Sequence, residues 1–416
     1  MLGQLAGHKL ADDVLEQVLA RNPLAPADRR LCQELVYGVV RWQATLDWLI
    51  ARKTSGRTQK RALQDLLRLG LYQIFWLERI PNHAAVFETV EQAKRSGFGP
   101  QSGFINALLR NYLREFDATR QRLEELKKNE PPLGYSHPGW LVTRWQKRWG
   151  LEQTAQLLAW NNTPPDTFAR VNTLRTDPGK LLEQWREEDV EYDFVRRDWL
   201  EENLVFVLRS HPPLARLPSF QQGSFYVQDP STLLAVAELE PRPGETVLDL
   251  CAAPGGKLTF IAQRMGNEGR IIGHDPVPER LKLIQENCAR LGVTCVETVS
   301  SWAGTERIFD KVLVDAPCSN TGVMRRRVDL RWRIRPEEIE RLRRTQLELL
   351  DQAAQVLKPG GTLIYSTCSL EPEENEEVIR EFLKNRPEFR FEHAHELNPV
   401  TETVDGAYVG RLRLGT

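Results

Sequence analysis

The stretch TVLDLCAAPGGKLTFIAQRMGNEGRIIGHD, residues 246–275, decides the fold class because apolar runs and a helix alternate in it. An apolar strand at Thr246–Leu250 enters a glycine turn, an apolar helix follows, and a second apolar run ends at Asp275. Short continuous apolar runs between helices are typical of parallel strands that are buried on both faces. Two more runs, DKVLV at 310–314 and TLIY at 362–365, continue the alternation. The sequence therefore predicts a doubly wound α/β sheet.

The turn after the first strand, CAAPGGK at 251–257, has the composition of a ligand-binding loop. Small side chains let a ligand approach the backbone, and the helix that follows offers free N–H groups. Asp275 ends the next strand, where an acid commonly holds a ribose diol. Because neither G-x-G-x-x-G nor a Walker lysine-serine pair is present, a nucleoside-containing ligand is favoured over a dinucleotide or a nucleoside triphosphate. The alternative is a tight turn beside a solvated Asp275.

Two cysteines follow neighbouring strands of the predicted sheet, Cys318 in DAPCS at 315–319 and Cys368 in STCS at 366–369. Ligands of open α/β sheets bind outside the carboxyl ends of the strands, so both thiols and Asp315 are expected in one cleft. A single cysteine is more often an inert packing residue, but this convergence favours nucleophilic chemistry. A redox pair is the competing interpretation, and the lack of C-x-x-C spacing weakens it.

The front of the chain differs from this alternation, since residues 1–130 show helical periodicity and no strand pattern. Apolar residues recur at spacings of three and four over 31–50 and again over 62–77, which predicts a helical bundle. Mixed helix and strand signals over 131–235 predict a small α/β connector, and the α/β sheet domain is expected over 236–416.

The composition and charge of the chain limit the kinds of protein that it can be. The 416 residues carry a net charge of −1, yet residues 1–130 hold 20 Lys and Arg against 15 Asp and Glu, so a basic face is compatible with the neutral whole. Six cysteines without C-x-x-C spacing and seven histidines without metal-ligand spacing predict a reduced cytoplasmic protein with no metal site. No run of eighteen apolar residues occurs, so no membrane span is expected.

Three motifs together resemble a known family, namely DLCAAPGGK at 249–257, DAPCS at 315–319 and STCSLEPEENE at 366–376. They are similar to the motifs of S-adenosylmethionine-dependent RNA cytosine-C5 methyltransferases. The helical front, with LVYGVVRW at 35–42 and GFINALLRNYLR at 103–114, resembles the NusB-like domain of the bacterial small-subunit ribosomal RNA methyltransferase B family. The connector segments RVNTLRT at 170–176 and GSFYVQDPST at 223–232 resemble that family too. The resemblance implies a NusB-like helical RNA-binding domain, a connector and a Rossmann-like class I methyltransferase domain.

The resemblance also implies roles for particular residues. Cys368 would add to carbon 6 of a cytosine, Cys318 would assist proton removal at carbon 5, and Asp315 would protonate or hydrogen-bond N3. Ser301 stands where the family usually has an acid that contacts the adenine side of the cofactor. The residues implied to contact S-adenosylmethionine are Cys251, Ala252, Ala253, Pro254, Gly255, Gly256, Lys257, Asp275, Ser301 and Asp315.

The segment MRRRVDLRWRIR, residues 324–335, is the strongest local charge cluster. A charge run is usually a solvated face, but this one directly follows the DAPCS segment. We therefore expect its arginines to bind RNA phosphates and its tryptophan to stack on a base. The residues concerned are Arg325, Arg326, Arg327, Arg331, Trp332 and Arg333. A second, weaker basic surface is expected within 51–110.

The sequence as a whole predicts a monomer that methylates carbon 5 of a cytosine in small-subunit ribosomal RNA. The target base should be unpaired or flipped out, because a stacked base does not expose carbon 6. Three alternatives remain open. The same chemistry could act on another ribosomal or transfer RNA site, a DNA-type enzyme would use Cys318 as its nucleophile, and a noncatalytic RNA-binding assembly factor would keep an idle cofactor fold.

Overall fold

The computed structural model describes residues 11–22, 24–301 and 307–416, which form two compact units. The helical unit contains the described residues up to Thr163 together with Met324–Arg333. The sheet unit contains the described residues of Pro164–Val323 and Ile334–Thr416. The division after Thr163 differs from the expected boundary at residue 130, because the chain over 131–163 packs with the helices that precede it. Ser136 Oγ, for example, accepts a hydrogen bond from the backbone N–H of Ala44 at 3.0 Å.

The helical unit is built from amphipathic helices, and its described residues include no strand, as predicted for 11–130. Buried leucines such as Leu46, Leu67 and Leu109 form the core on the apolar faces. The helix predicted over 31–50 is two helices that break at Trp42, where the backbone leaves helical geometry with ψ at 17°. The helices are α1 (Ala11–Arg21), α2 (Pro26–Arg41), α3 (Gln43–Lys53), α4 (Arg61–Trp76), α5 (Asn82–Arg95), α6 (Ser102–Arg114), α7 (Phe116–Asn129), α8 (Pro131–Gly134) and α9 (Gly139–Trp160).

A four-stranded antiparallel sheet begins the sheet unit, with strand order β2-β3-β1-β4. Its core is aromatic, because the buried Trp185 ring lies 5.6 Å from Phe206 and 5.4 Å from Phe225, centroid to centroid. The elements are β1 (Thr167–Val171), α10 (Pro178–Glu187), β2 (Glu191–Phe194), β3 (Val205–Ser210), α11 (Pro218–Gln221) and β4 (Phe225–Val227).

A seven-stranded sheet follows, with strand order β10-β11-β9-β8-β5-β6-β7. The five strands from β9 to β7 are parallel, which confirms the predicted fold class, whereas β11 and β10 add an antiparallel edge that the sequence pattern did not predict. The strands are β5 (Thr246–Asp249), β6 (Arg270–His274), β7 (Val296–Val299), β8 (Phe309–Asp315), β9 (Leu357–Thr367), β10 (Phe389–Leu397) and β11 (Ala407–Leu414).

Helices cover both faces of this sheet's parallel part, so the buried strands read as continuous apolar runs. The helices in this part of the chain are α12 (Leu234–Leu239), α13 (Gly256–Arg264), α14 (Pro278–Leu291), α15 (Leu330–Arg333), α16 (Pro336–Val356), α17 (Glu376–Asn385) and α18 (Pro399–Glu402). Of these, α15 belongs to the helical unit. Across the described parts of the chain, every helix is too short or too polar to cross a bilayer.

Candidate active site

The candidate site lies at the carboxyl ends of four neighbouring parallel strands, β9, β8, β5 and β6. Asp315 at the end of β8 pairs in register with Ser366 of β9, and Asp249 at the end of β5 pairs with Gly273 of β6. The thiol-bearing segments, the glycine turn and Asp275 therefore leave the sheet along one edge. Parallel strand order explains why residues far apart in sequence meet there.

Two sulfur atoms come together at this edge. Cys318 Sγ lies 3.3 Å from Cys368 Sγ, and Cys368 Sγ is also 3.2 Å from Oδ1 of Asn320. Asn320 adopts a left-handed backbone with φ at 58° and donates from Nδ2 to the Cys318 carbonyl at 2.6 Å. Asparagine tolerates this conformation better than most residues, so the turn is compatible with its position. Cys318 is buried, whereas Cys368 is half-buried and is the more accessible of the two thiols.

The surroundings of Cys318 make this thiol hold its proton tightly. The hydrogen bond with Cys368 raises the pKa of Cys318 well above its usual value, and burial raises it further. Cys368 also acts through its charge, because a negative sulfur at this distance would repel a Cys318 thiolate. Cys318 therefore keeps its proton in the folded protein, next to the more accessible sulfur of Cys368.

A lysine and an aspartate lie beside the thiols. Lys257 Nζ donates to Asp315 Oδ2 at 2.6 Å, and Ser366 Oγ donates to Asp315 Oδ1 at 2.8 Å. Burial lowers the pKa of Lys257, but attraction to Asp315 and then to Cys368 outweighs burial and raises it overall. The Lys257 ammonium therefore stays charged within electrostatic reach of Cys368.

A buried carboxylate that we did not predict as a functional residue, Glu374, joins the two thiol loops, which we define as residues 316–322 and 368–375. It accepts from the Ser319 backbone N–H at 2.8 Å, from both the Ser319 and Ser369 hydroxyls, and from Gln346 Nε2 at 3.1 Å. Burial raises the pKa of Glu374, and these hydrogen bonds oppose the rise. Because Ser319 follows Cys318 and Ser369 follows Cys368, Glu374 fixes the loop that carries each thiol.

The glycine turn lies among three carboxyl groups. Gly255 precedes α13 with φ at 102°, a conformation that favours glycine. Buried Asp275 accepts from the Val277 N–H at 3.0 Å and pairs with Arg280 at 2.9 Å. Burial, followed by repulsion from Asp315, raises the pKa of Asp249 to about 7. The turn thus combines close backbone access with negative charge that a cation would relieve.

The arginine segment 324–333 lies in the helical unit, and two of its predicted RNA contacts are wrong. Arg325 is buried with its guanidinium 4.2 Å from the ring centroid of Trp160. Fully buried Arg331 donates to the carbonyl of Asn161 at 2.9 Å, that of Ser136 at 3.2 Å and that of Arg41 at 3.3 Å. Both side chains are therefore used inside the helical unit. Helix ends leave carbonyls without hydrogen-bond donors, and the Arg331 guanidinium donates to these carbonyls.

The remaining residues of that segment have varied surroundings. Trp332 is half-buried and donates from its indole N–H to the carbonyl of Val40 at 2.7 Å, while Arg333 pairs with Asp329 at 3.1 Å. Arg326 is half-buried and Arg327 is exposed. An RNA contact stays a prediction for these four residues. Ser301 lies exposed beyond β7, and its predicted cofactor contact also stays a prediction.

Comparison with known proteins places this site in a family. Residues 236–412 match the family described as 16S rRNA methyltransferase RsmB/F, residues 3–114 match the NusB family, and residues 137–204 match the RsmF/B-like ferredoxin-like domain. The probable ribosomal RNA small subunit methyltransferase B of Bacillus subtilis is 38% identical over 90% of this chain and 84% of its own length. The chain belongs to the RsmB/F family.

Two further comparisons cover nearly the full chain. Ribosomal RNA small subunit methyltransferase B of Klebsiella pneumoniae is 37% identical over 97% of both chains. The crystal structure of PH0851 superposes with a TM-score of 0.78 at 26% identity, covering 95% of this chain and 93% of that one.

S-adenosylmethionine is the cofactor of this RsmB/F chain. The turn at 251–257 fits it, since Gly255 and Gly256 allow close backbone approach and the carboxyls of Asp249, Asp275 and Asp315 suit a sulfonium cation and a ribose diol. Lys257 differs from the other residues of the turn, because its ammonium is bonded to Asp315 and lies toward the thiols.

Proposed function

We propose that this chain transfers a methyl group from S-adenosylmethionine to carbon 5 of a cytosine in small-subunit ribosomal RNA, with Cys368 as the covalent nucleophile. The observation that carries the proposal is the 3.3 Å approach of the Cys318 and Cys368 sulfur atoms beside the Lys257 and Asp315 pair. Carbon 5 of cytosine is a weak nucleophile, so a thiol addition at carbon 6 is the step that makes methylation feasible. The names of the curated relatives support small-subunit ribosomal RNA as the substrate.

The first step is the addition of Cys368. Its thiolate, stabilised by the Lys257 ammonium, forms a sulfur–carbon bond at C6, and the electron pair of the C5–C6 double bond moves through the ring to N3. The proton that N3 gains comes from the Lys257 ammonium and is relayed by Asp315, whose Oδ2 accepts the hydrogen bond of Lys257. Carbon 5 then has the character of an enamine. S-adenosylmethionine, when bound, supplies the electrophilic methyl group.

The second step is the release of the product by Cys318. Once the Cys368 sulfur is bonded to C6, it no longer accepts the hydrogen bond that is the main cause of the raised pKa of Cys318, and it no longer carries negative charge. Cys318 can then lose its proton and take the hydrogen from C5. The electrons of that C–H bond restore the C5–C6 double bond, the sulfur–C6 bond breaks, Cys368 leaves as a thiolate, and N3 returns its proton.

The test compares three cysteine variants of the full chain with radiolabelled S-adenosylmethionine and unmodified small-subunit ribosomal RNA. We expect turnover by the wild type, a protein–RNA adduct that persists on a denaturing gel for Cys318→Ala, and neither product for Cys368→Ala. Cys288→Ala is the matched control, because Cys288 is a buried cysteine of α14 outside the thiol loops and should leave turnover unchanged.

Two other outcomes would contradict the proposal. An adduct with Cys368→Ala but not with Cys318→Ala would assign the nucleophile to Cys318, as in a DNA-type enzyme. If the wild type gave neither methyl transfer nor an adduct, transfer RNA would be tried as the substrate. Calorimetry would then show whether S-adenosylmethionine binds, and a failure to bind would favour the noncatalytic assembly factor.

A further inference from the structure

A cluster of metal-ligating side chains lies on the sheet unit outside the thiol loops. It consists of Glu238, His393 and His395, whose ligand atoms all lie within 4.8 Å of one another. His393 Nε2 is 2.6 Å from Glu238 Oε2, and His395 Nε2 is 3.6 Å from Glu238 Oε1. The two oxygen atoms of one carboxylate thus face one imidazole each.

Local structure explains why these residues meet. His393 and His395 are two residues apart on β10, a spacing that puts both side chains on the same face of a strand. Their partners in register on β11 are Arg411 and Val409. Glu238 lies near the end of α12, and its backbone carbonyl accepts a hydrogen bond from Arg411. The cluster is therefore supported by two strands and a helix rather than by a loop.

The charge around the cluster does not oppose a cation. Arg411 is a positive side chain in register with His393, and its guanidinium pairs with Glu392 at 2.8 Å and with Glu240 at 3.1 Å. Glu392 also accepts hydrogen bonds from Arg413 at 2.9 Å and from Arg390 at 3.1 Å. The ion pairs with Glu392 and Glu240 therefore offset the charge of Arg411.

We propose that Glu238, His393 and His395 bind a divalent transition-metal ion of the zinc class. Two imidazole nitrogens and one carboxylate oxygen are ligands that Zn²⁺ takes in proteins, and three protein ligands leave a fourth position for water. Ligand atoms of a tetrahedral zinc site lie roughly 3.3 Å apart, so small side-chain rotations bring this cluster to that spacing. The histidine side chains are 46% and 45% exposed, so an ion can enter and the rings can turn. A bound ion would tie α12 to the edge strand β10.

Zinc titration by calorimetry tests this site, after the full chain has been stripped of metal with a chelator. The titration is made in a Cys318→Ala, Cys368→Ala background, because zinc also binds paired thiols and would obscure a second site. We expect one ion per chain, and an affinity at least about tenfold weaker both for His393→Ala with His395→Ala and for Glu238→Gln. His211→Ala is the matched control, since His211 is another histidine of the sheet unit and its ring contacts the Pro212 carbonyl instead.

Each outcome of the titration bears on the proposal. The melting temperature of the parent protein should rise with zinc, and that of the histidine double variant should not. Circular dichroism checks that each variant is folded, and Glu238→Gln retains the size of the side chain it replaces. No zinc uptake by the parent, or an uptake that all three substitutions leave unchanged, would overturn the proposal.

Discussion

Glu374 in the sheet unit and Arg331 in the helical unit are both buried charged side chains with several hydrogen-bond partners, but their partners differ in kind. Those of Glu374 include the backbone and hydroxyl of Ser319 and the hydroxyl of Ser369, which adjoin the two thiols. Arg331 donates mainly to backbone carbonyls at or near the ends of helices. A buried charge therefore indicates reactive chemistry only when its partners adjoin groups that can react.

The largest effect on stability is expected from Arg331. Arg331→Met removes the donors for the carbonyls of Arg41, Ser136 and Asn161, and should destabilise the helical unit by about 3 kcal/mol. Hydrogen exchange in α2 and α9 measures the loss. The neighbouring exposed residue provides the control, since Arg327→Met should leave exchange unchanged. Normal exchange in Arg331→Met would contradict the structural role.

Removing Glu374 should act on the chemical step. Glu374→Ala frees the two thiol loops from each other and should lower kcat about 100-fold, because misplacement of a reacting group by about 1 Å costs roughly that much. The KM for S-adenosylmethionine should change little, since Glu374 contacts the thiol loops rather than the glycine turn. Glu374→Gln keeps part of the hydrogen bonding and should recover part of kcat.

The rate of adduct formation distinguishes thiol positioning from a general contribution of Glu374 to stability. In the Cys318→Ala background, Glu374→Ala should slow the appearance of the protein–RNA adduct. Each protein is assayed at the same number of degrees below its own melting temperature, so that a difference in stability does not cause the effect. If KM rose and kcat did not fall, Glu374 would be a residue of substrate binding rather than of thiol positioning.

Asp249 differs from Glu374 and Arg331, because burial and the nearby Asp315 both disfavour its charged form. Its pKa is raised from 3.8 to about 7 by burial and by Asp315, so the folded state holds this proton more tightly than the unfolded state. The resulting stabilisation is present at low pH and is lost as the pH rises through about 7. From pH 5 to pH 8 this group should lower the free energy of unfolding by about 3 kcal/mol.

Denaturant titrations of the wild type and of Asp249→Asn at pH 5 and pH 8 measure this dependence. The asparagine variant lacks the titrating carboxyl. Its free energy of unfolding should therefore not show the loss between pH 5 and pH 8 that we attribute to Asp249. Equal pH dependence in the two proteins would show that Asp249 keeps an ordinary acidity in the folded state.

The smallest effect is expected from exposed Arg327, which we propose contacts RNA phosphate. Arg327→Ala should weaken RNA binding by a similar factor for different sequences and reduce the salt dependence of the affinity by about one phosphate contact. Filter binding at several salt concentrations measures both. An unchanged salt slope would remove Arg327 from the RNA-binding surface.

Sequence reasoning succeeded where the strand pattern determines position. Cys318, Cys368 and Asp315 each follow an apolar run, and parallel topology brings the ends of such strands together. It failed for Arg325 and Arg331, because a charge run does not show which helix carbonyls lack partners. Glu374 was missed although it lies within the STCSLEPEENE motif, since its partner Ser319 is 55 residues away.

The antiparallel edge of the seven-stranded sheet is a second feature that could not be predicted from the sequence. Strand β10, FRFEHAHEL, is largely exposed or half-buried, so it lacks the continuous apolar run that marks the parallel strands. Its pairing with β11 was therefore not predicted, and neither was the approach of His393 and His395 to Glu238. A two-residue histidine spacing gains meaning as a metal site only when the segment is known to be a strand.

The most direct test of the central claim is to identify the sulfur atom that bonds to RNA. The wild type is incubated with S-adenosylmethionine and RNA carrying 5-fluorocytidine, whose C5 has no hydrogen for Cys318 to remove, so the adduct cannot be released. Mass spectrometry of the digested adduct then locates the modified peptide. The account predicts a nucleotide attached to Cys368, and attachment to Cys318 would contradict it.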